Sequence, residues 1–217
     1  MRQVLLSVSD KTGLAEFARS LAELGTILIS TGGTAKMLTE AGISSLPVEK
    51  ITGFPEMFDG RVKTLHPKVH GGLLYVRNSA HEAKAHEHGI QPIDLLVVNF
   101  YPFSQTVRKP NVQYHEVIEN IDIGGPAMVR SAAKNHASVT VIVDPADYTE
   151  VLDVMKQNGG ETTLELRKHL AGKAYEATAA YDTAIAEWFK IYNKGGNGTH
   201  EGKIVPRGTN VRQAVTT

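Results

Sequence analysis

Val4-Leu-Leu-Ser-Val-Ser-Asp-Lys-Thr-Gly13 and, shortly after it, Thr26-Ile-Leu-Ile-Ser-Thr-Gly-Gly-Thr34 open the chain with the same unit twice. Each starts as a short run of leucine and β-branched residues and passes through a Ser/Thr/Gly turn. A helical pattern follows: Leu14, Phe17, Ala18, Leu21 and Leu24 after the first turn, residues 35–41 after the second. Gly25 and Gly42 supply the helix stops. Two strand–loop–helix units in succession predict neighbouring parallel strands. Both turns then lie at carboxyl ends of the sheet, where open α/β folds hold ligands.

Both turns set hydroxyls at a helix amino terminus, where unpaired backbone N–H groups suit a phosphate. The second adds two glycines and the first adds Lys11. Neither is a Walker motif or a Gly-x-Gly-x-x-Gly dinucleotide turn. Taken singly, each reads more simply as helix capping, by Ser9 or Asp10 in one and Thr31 or Thr34 in the other. Two such turns on adjacent strands favour the phosphate.

Further along, Ile43 to Val48 reads as a third strand, and Glu49 to Lys68 has no clean period. Gly60-Arg-Val-Lys-Thr-Leu-His-Pro-Lys-Val-His-Gly-Gly72 crowds cations and histidines between glycines around Pro67 and reads as a loop, either for an anionic ligand or as a solvated basic turn. Leu73 to Val76 reads as a strand and Ser79 to His88 as a polar helix whose histidines 81, 86 and 88 face solvent. Ile93 to Phe100 is the strongest strand signal, a run of the kind buried on both faces of a parallel sheet. It ends in Asn99-Phe-Tyr-Pro-Phe103, suited either to a planar ligand or to plugging the core.

Val112 to Glu119 predicts a short helix. Ile121-Asp-Ile-Gly-Gly-Pro126 leads into another, its amino terminus open to a ligand with Asp122 just upstream. Ala137 to Val143 predicts a strand, and Asp144-Pro145 a helix running to about Gln157. From Glu161 to about Tyr192 a long helix places Leu170, Ala174, Ala177, Tyr181, Ile185 and Trp188 on one stripe. The expected organisation is one domain over residues 1–192 and a flexible tail over 193–217.

Of the 217 residues, 23 are Lys or Arg and 23 Asp or Glu, so the net charge is zero and the broad positive field of a nucleic-acid or membrane-surface binder is missing. The absence of cysteine excludes disulfides and thiolate chemistry. No apolar run reaches membrane-spanning length, and the opening apolar run is too short for a secretory signal, so the expectation is a cytoplasmic protein. His66 and His70 are four apart, but Pro67 and the lack of a third ligand argue against a metal site. No cofactor is indicated.

Five segments now stand together: Ser7-Val-Ser-Asp-Lys-Thr-Gly13, Ser30-Thr-Gly-Gly-Thr-Ala-Lys36, residues 60–72, Asn99-Phe-Tyr-Pro-Phe103, and Ile121-Asp-Ile-Gly-Gly-Pro126 with Ala133-Lys-Asn-His136. In this order they resemble the inosine monophosphate cyclohydrolase domain of the bifunctional purine-biosynthesis enzymes, from Met1 to about Phe189. The resemblance implies a three-layer, methylglyoxal-synthase-like α/β fold with a central, mostly parallel sheet flanked by helices. It implies a homodimer that converts the ribonucleotide FAICAR to IMP with loss of water. The Arg-Tyr-Gly-Glu-Asn-Pro-His-Gln opening of those enzymes' formyltransferase domain is missing, so a stand-alone or truncated cyclohydrolase without formyl transfer is expected, for which a separate formyltransferase is one possible partner. The tail departs from the expected domain junction, and Val205-Pro-Arg-Gly208 even suggests an added segment.

Ring closure by an amide nitrogen on a formamide needs an oxyanion stabiliser, help in removing a proton from nitrogen, and a donor to the departing hydroxyl. The resemblance implies Lys63 and Tyr101 at the formyl oxygen, the lysine charge acidifying the phenol. It implies Asp122 holding or deprotonating the carboxamide nitrogen, with Lys134 nearby. Ser7, Ser9, Lys11, Thr31, Gly32, Gly33 and Thr34 would hold the 5′-phosphate, Arg61 and Thr64 the remaining polar edge, and Asn99 and Phe100 the base. Ile123 and Gly124 complete the substrate contacts. Two rivals share the fold: a methylglyoxal synthase, and an effector-binding domain that needs a phosphate site but no catalytic groups.

Overall fold

The computed structural model describes residues 2–101 and 103–194. The expected tail from residue 195 onward lies outside the described residues. The described residues form two compact units, one of residues 2–100 and 122–179, the other of residues 101, 103–121 and 180–194.

The first unit is built on five parallel strands in the order β3-β2-β1-β4-β5. The two opening units form as the sequence predicts. β1 (Gln3–Val8) leads to α1 (Leu14–Glu23) and β2 (Ile27–Ser30) to α2 (Gly32–Glu40), with Leu5 opposite Ile29 in the β1/β2 register. Gly25 and Gly42 close the helices at φ 76° and 71°, a left-handed turn that costs glycine least. The third strand is only β3 (Leu46–Pro47), because Val48 already begins α3 (Val48–Thr52).

Two expectations fail next. Pro67 does not break a helix but starts one, α4 (Pro67–Leu74), capped by the His66 side chain, which accepts from Lys68 N–H at 3.1 Å. Proline suits the first turn because its missing N–H would have no partner there. Leu73 and Leu74 therefore end a helix, and no strand forms at 73–76. Its two glycines are dictated by long-range packing: a Cβ on Gly71 would lie 2.9 Å from Ile90 Cδ1, and one on Gly72 2.6 Å from Gln91 O. α5 (Ser79–Glu87) follows, with His81, His86 and His88 exposed.

β4 (Leu95–Asn99) lies between β1 and β5 (Thr140–Ile142). Strand alternation sorts the core. Val4, Leu6, Leu95 and Val97 face a cluster with Leu14, Phe17 and Leu21 of α1, while Leu5, Leu96 and Val98 face one with Val69 and Leu73 of α4. Helices on both faces give the three-layer α/β architecture, and each fully buried leucine contributes roughly 1.5–3 kcal/mol.

In the second unit, α6 (Phe103–Val107) and α7 (Tyr114–Glu119) carry an aromatic cluster. Phe103 meets Trp188 edge-on at 6.0 Å, and Tyr114 stacks on Trp188 at 5.6 Å. Phe103 is thus a core plug. Returning to the first unit, α8 (Gly124–Lys134) precedes β5, and a 3-10 turn (Pro145–Asp147) feeds α9 (Tyr148–Gln157). The long helix α10 (Leu164–Lys194) buries Leu170, Ala174, Tyr181 and Trp188, with Ala177 and Ile185 half-buried.

Candidate active site

Chain order runs outward from β1 to β3 on one side and to β5 on the other, so β1 and β4 flank the switch point of the sheet, the usual ligand crevice. The two opening turns both lie at this edge, yet they are not equivalent.

In the second turn the hydroxyls face inward. Ser7 Oγ and Thr31 Oγ1 are 2.8 Å apart, and Thr34 Oγ1 accepts from Val8 N–H at 3.1 Å and donates to Val8 O at 3.2 Å. These three residues lace β2 to β1, so the phosphate contact expected of their hydroxyls passes to the backbone. Gly32 and Gly33 are exposed at the start of a nine-residue helix, and among the described residues their N–H groups have no acceptor. That is the anion-binding capacity of a helix terminus left open.

The first turn spends three of its N–H groups on side chains. Asn99, expected at the base, accepts the N–H groups of Ser9 and Asp10 at 2.7 and 2.8 Å and donates to Asp10 O at 2.9 Å. Lys11 Nζ reaches back to Ser9 O at 3.3 Å and Val8 O at 3.5 Å. Asp10 accepts from Thr12 Oγ1 at 2.7 Å and from its N–H at 2.9 Å. The Thr12 hydroxyl first, then its backbone N–H, hold the Asp10 carboxyl below the usual carboxylate range. The first turn therefore carries a carboxylate held by its own Thr12.

Lys63 joins the second turn. A Cβ on Gly32 would lie 3.1 Å from Lys63 Nζ, so the ammonium rests on the helix terminus, and Glu56 forms an ion pair with it. The next residue, Thr64, is buried, and its Oγ1 lies 2.7 Å from where a Gly124 Cβ would be. Asp122 accepts the Gly125 N–H at 2.8 Å, a carboxylate at the amino end of α8. Gly32, Lys63, Thr64, Gly124 and Asp122 thus form one continuous run of contacts.

Other predicted residues fall elsewhere. Lys134 ends the helix that Gly124 starts, about 15 Å away at 1.5 Å per residue, so it is not beside Asp122. Phe100 is half-buried against the second core cluster, a packing role. Arg61 and Ile123 are exposed. Tyr101 begins the second unit and is also exposed. His66 caps α4, while His70 Nδ1 pairs with Ser131 Oγ at 3.0 Å, so the two rings serve separate partners. Burial pushes the His70 pKa down. Two contributors were missed: Asn99 as the clamp of the first turn, and Glu56. The signal for Glu56 was the hairpin dipeptide Asp59-Gly60, which folds residue 56 back towards 63.

At the opposite edge of the sheet a cavity of about 370 Å³ is lined by Arg2, Arg77, Asp94 and Arg167 among others. Its guanidinium groups are already engaged. Arg2 pairs with Glu161 at 2.8 Å, Arg77 with Asp94 at 3.4 Å, and Arg167 donates to the carbonyls of His136 and Ala137 at 2.9 and 3.0 Å. They fasten the strand starts to the loops around them.

A parallel sheet between helix layers defines an α/β class of protein. Within it the chain belongs to the methylglyoxal-synthase-like family: residues 13–127 match the MGS-like domain model. Residues 132–215 match the model of the AICARFT/IMPCHase bienzyme, a match that runs through the segment thought to be added. The chain is 59% identical over 189 residues to the bifunctional purine biosynthesis protein PurH of Streptococcus pneumoniae (strain D39), covering 87% of this chain and 36% of that protein. It is 53% identical over 208 residues to PurH of Chlorobium phaeobacteroides, covering 95% and 40%. The chain thus spans well under half the length of these curated relatives. A crystal structure of ForH superposes with a TM-score of 0.82 at 36% identity, covering 89% of this chain and 99% of that one.

Proposed function

We propose that the chain is an IMP cyclohydrolase, closing the second purine ring of FAICAR to give IMP and water. The observation that carries this is the Lys63 ammonium resting on Gly32 while Thr64 meets Gly124 beside Asp122. A cation, an open helix terminus and a carboxylate then share one edge. The extended identity to the PurH proteins supports the same reading.

In this reading the N–H groups of Gly32 and Gly33 take the 5′-phosphate. The carboxamide nitrogen attacks the formyl carbon, the new C–N bond forms, and the carbonyl electron pair moves onto oxygen. Lys63 stabilises that oxyanion. Asp122, fixed by the Gly125 N–H, orients the carboxamide N–H and accepts its proton. The oxyanion takes up the proton that Asp122 accepted. The former formamido nitrogen then gives up its proton, its electron pair forms the C=N bond and expels the hydroxyl, which takes that second proton and leaves as water. Within one chain Lys134 lies at the other end of α8 from Gly124, so no step is assigned to it. Much of the acceleration comes from holding two groups of one molecule in contact.

FAICAR must come from a formyltransferase, on another chain or on the remainder of a longer one. A homodimer in the cytoplasm completes the proposal. No helix among the described residues is long and apolar enough to cross a membrane. The test is to mix the purified chain with FAICAR, without folate, and follow IMP by absorbance. Saturable turnover supports the cyclohydrolase. Nucleotide binding without turnover supports the effector-binding rival.

A further inference from the structure

Glu56 stands outside every role assigned so far, and the fold goes to some length to place it. Met57 and Val62 form an antiparallel bridge, Met57 N–H donating to Val62 O at 3.0 Å and Val62 N–H to Met57 O at 3.2 Å. Arg61 N–H donates to Phe58 O at 3.1 Å across Asp59 and Gly60, whose φ angles are 53° and 92°. Positive φ at both central residues is the hairpin turn that matches strand twist, and Asp-Gly is a favoured sequence for it. Phe58 is also left-handed, at φ 55°. A non-glycine residue held there needs support from its surroundings.

This strained hairpin makes residues 56 and 63 the next cross-strand pair, and their carboxylate and ammonium meet. The Glu56 carboxylate also fills the space beside Gly60, where a Cβ would lie 3.1 Å from Oε1. Lys63 meanwhile rests on the amino terminus of α2. The positive end of a helix repels a cation, so an ammonium does not settle there unaided. An anion on its other side offsets that repulsion, and Glu56 is that anion. Only 20% of the Lys63 side chain is exposed, against 41% for Glu56, so the lysine is the inner member of the pair.

We infer that Glu56 is the positioning residue for Lys63: it holds the ammonium at the mouth of the second turn before the ligand arrives. The inference deepens the proposed function and, for its kinetic part, rests on it. Glu56→Gln removes the charge while keeping the shape, and frees Lys63 to swing into solvent. Turnover then falls about tenfold or more through lost alignment, with a much smaller change in KM. Glu56→Asp, which keeps the charge, recovers part of that loss. In a Lys63→Ala background Glu56→Gln has no further effect, because the group it positions is gone.

The deciding experiment joins this kinetic set to NMR of the lysine ammonium groups, with the Lys63 signal identified by its loss in Lys63→Arg. Thermal melting of each variant screens for misfolding. The expected result is a Lys63 ammonium signal that is sharp in the parent chain, lost in Glu56→Gln and kept in Glu56→Asp, with turnover following the signal. A Lys63 signal absent from the parent, or unchanged in Glu56→Gln, overturns the positioning role. So does a rise in KM alone, or faster turnover, which would make Glu56 a competitor of the ligand. If the parent chain does not convert FAICAR at all, the proposed function fails, and the NMR comparison still decides whether Glu56 holds Lys63.

Discussion

The first and second β–α turns look like twins in the sequence, each a Ser/Thr/Gly turn before a helix on adjacent strands. In the structure they differ in where their hydrogen-bond capacity goes. The first commits three N–H groups to side chains, those of Ser9 and Asp10 to Asn99 and that of Thr12 to the Asp10 carboxylate. The second ties its hydroxyls to β1 and leaves the N–H groups of Gly32 and Gly33 open, under the Lys63 ammonium. Residue chemistry alone does not make an anion site. What counts is which donors the fold leaves without a partner.

The contrast can be broken most sharply at Lys63. Lys63→Ala should lower turnover of FAICAR by about a hundredfold, the scale of losing one oxyanion-stabilising group, with nucleotide affinity changed far less. Steady-state kinetics with an equilibrium binding measurement separates the two, and weakened binding at nearly intact turnover would place Lys63 on the phosphate instead. Asn99→Ala attacks the other turn. Losing the acceptor of the part-buried Ser9 N–H should cost roughly 1–3 kcal/mol in denaturant unfolding, while KM stays within a few fold.

A glycine pair sharpens the comparison. Gly32→Ala introduces a Cβ at φ 37°, against Lys63 Nζ, and should raise KM by about tenfold, or roughly 1.4 kcal/mol. Gly13→Ala, at φ 68° and 3.7 Å from the Tyr148 ring, should lower stability by about 1 kcal/mol without moving KM. Equal effects on KM would dissolve the distinction between the turns.

The smallest effect tests the loop's neighbour His70. Its buried Nε2 has no partner among the described residues, and burial lowers its pKa below the ordinary 6.5. The unfolded chain therefore binds a proton more readily, and stability falls as pH drops from about 6.5 towards the folded value. Melting temperature measured between pH 7.5 and 5.5 should decline less in His70→Asn than in the parent chain.

The order of strands and helices was legible because β1, β2 and β4 are apolar runs bounded by glycine or proline, signals carried within a dozen residues. α4 was not. Pro67 and the Gly71-Gly72 pair argue locally against a helix, and the reason for the glycines lies in Ile90 and Gln91, contacts no local pattern carries. The site was legible as a set of loops but not as a set of partners. Lys63 was singled out by its motif, whereas Glu56 needed the hairpin that folds it back. Asn99 was expected at the base because its residue type suits one, and its clamp on the first turn is a contact across some ninety residues. Lys134 was placed by resemblance, and the length of α8 carries it away.

The most direct test of the account is an amide NMR titration of the chain with IMP, following the N–H signals of Gly32 and Gly33 against those of Ser9 and Asp10. Large, saturable shifts are expected at Gly32 and Gly33 and small ones at Ser9 and Asp10, whose N–H groups Asn99 already holds. Shifts concentrated at Ser9 and Asp10, or none at Gly32 and Gly33 at saturating IMP, would contradict it.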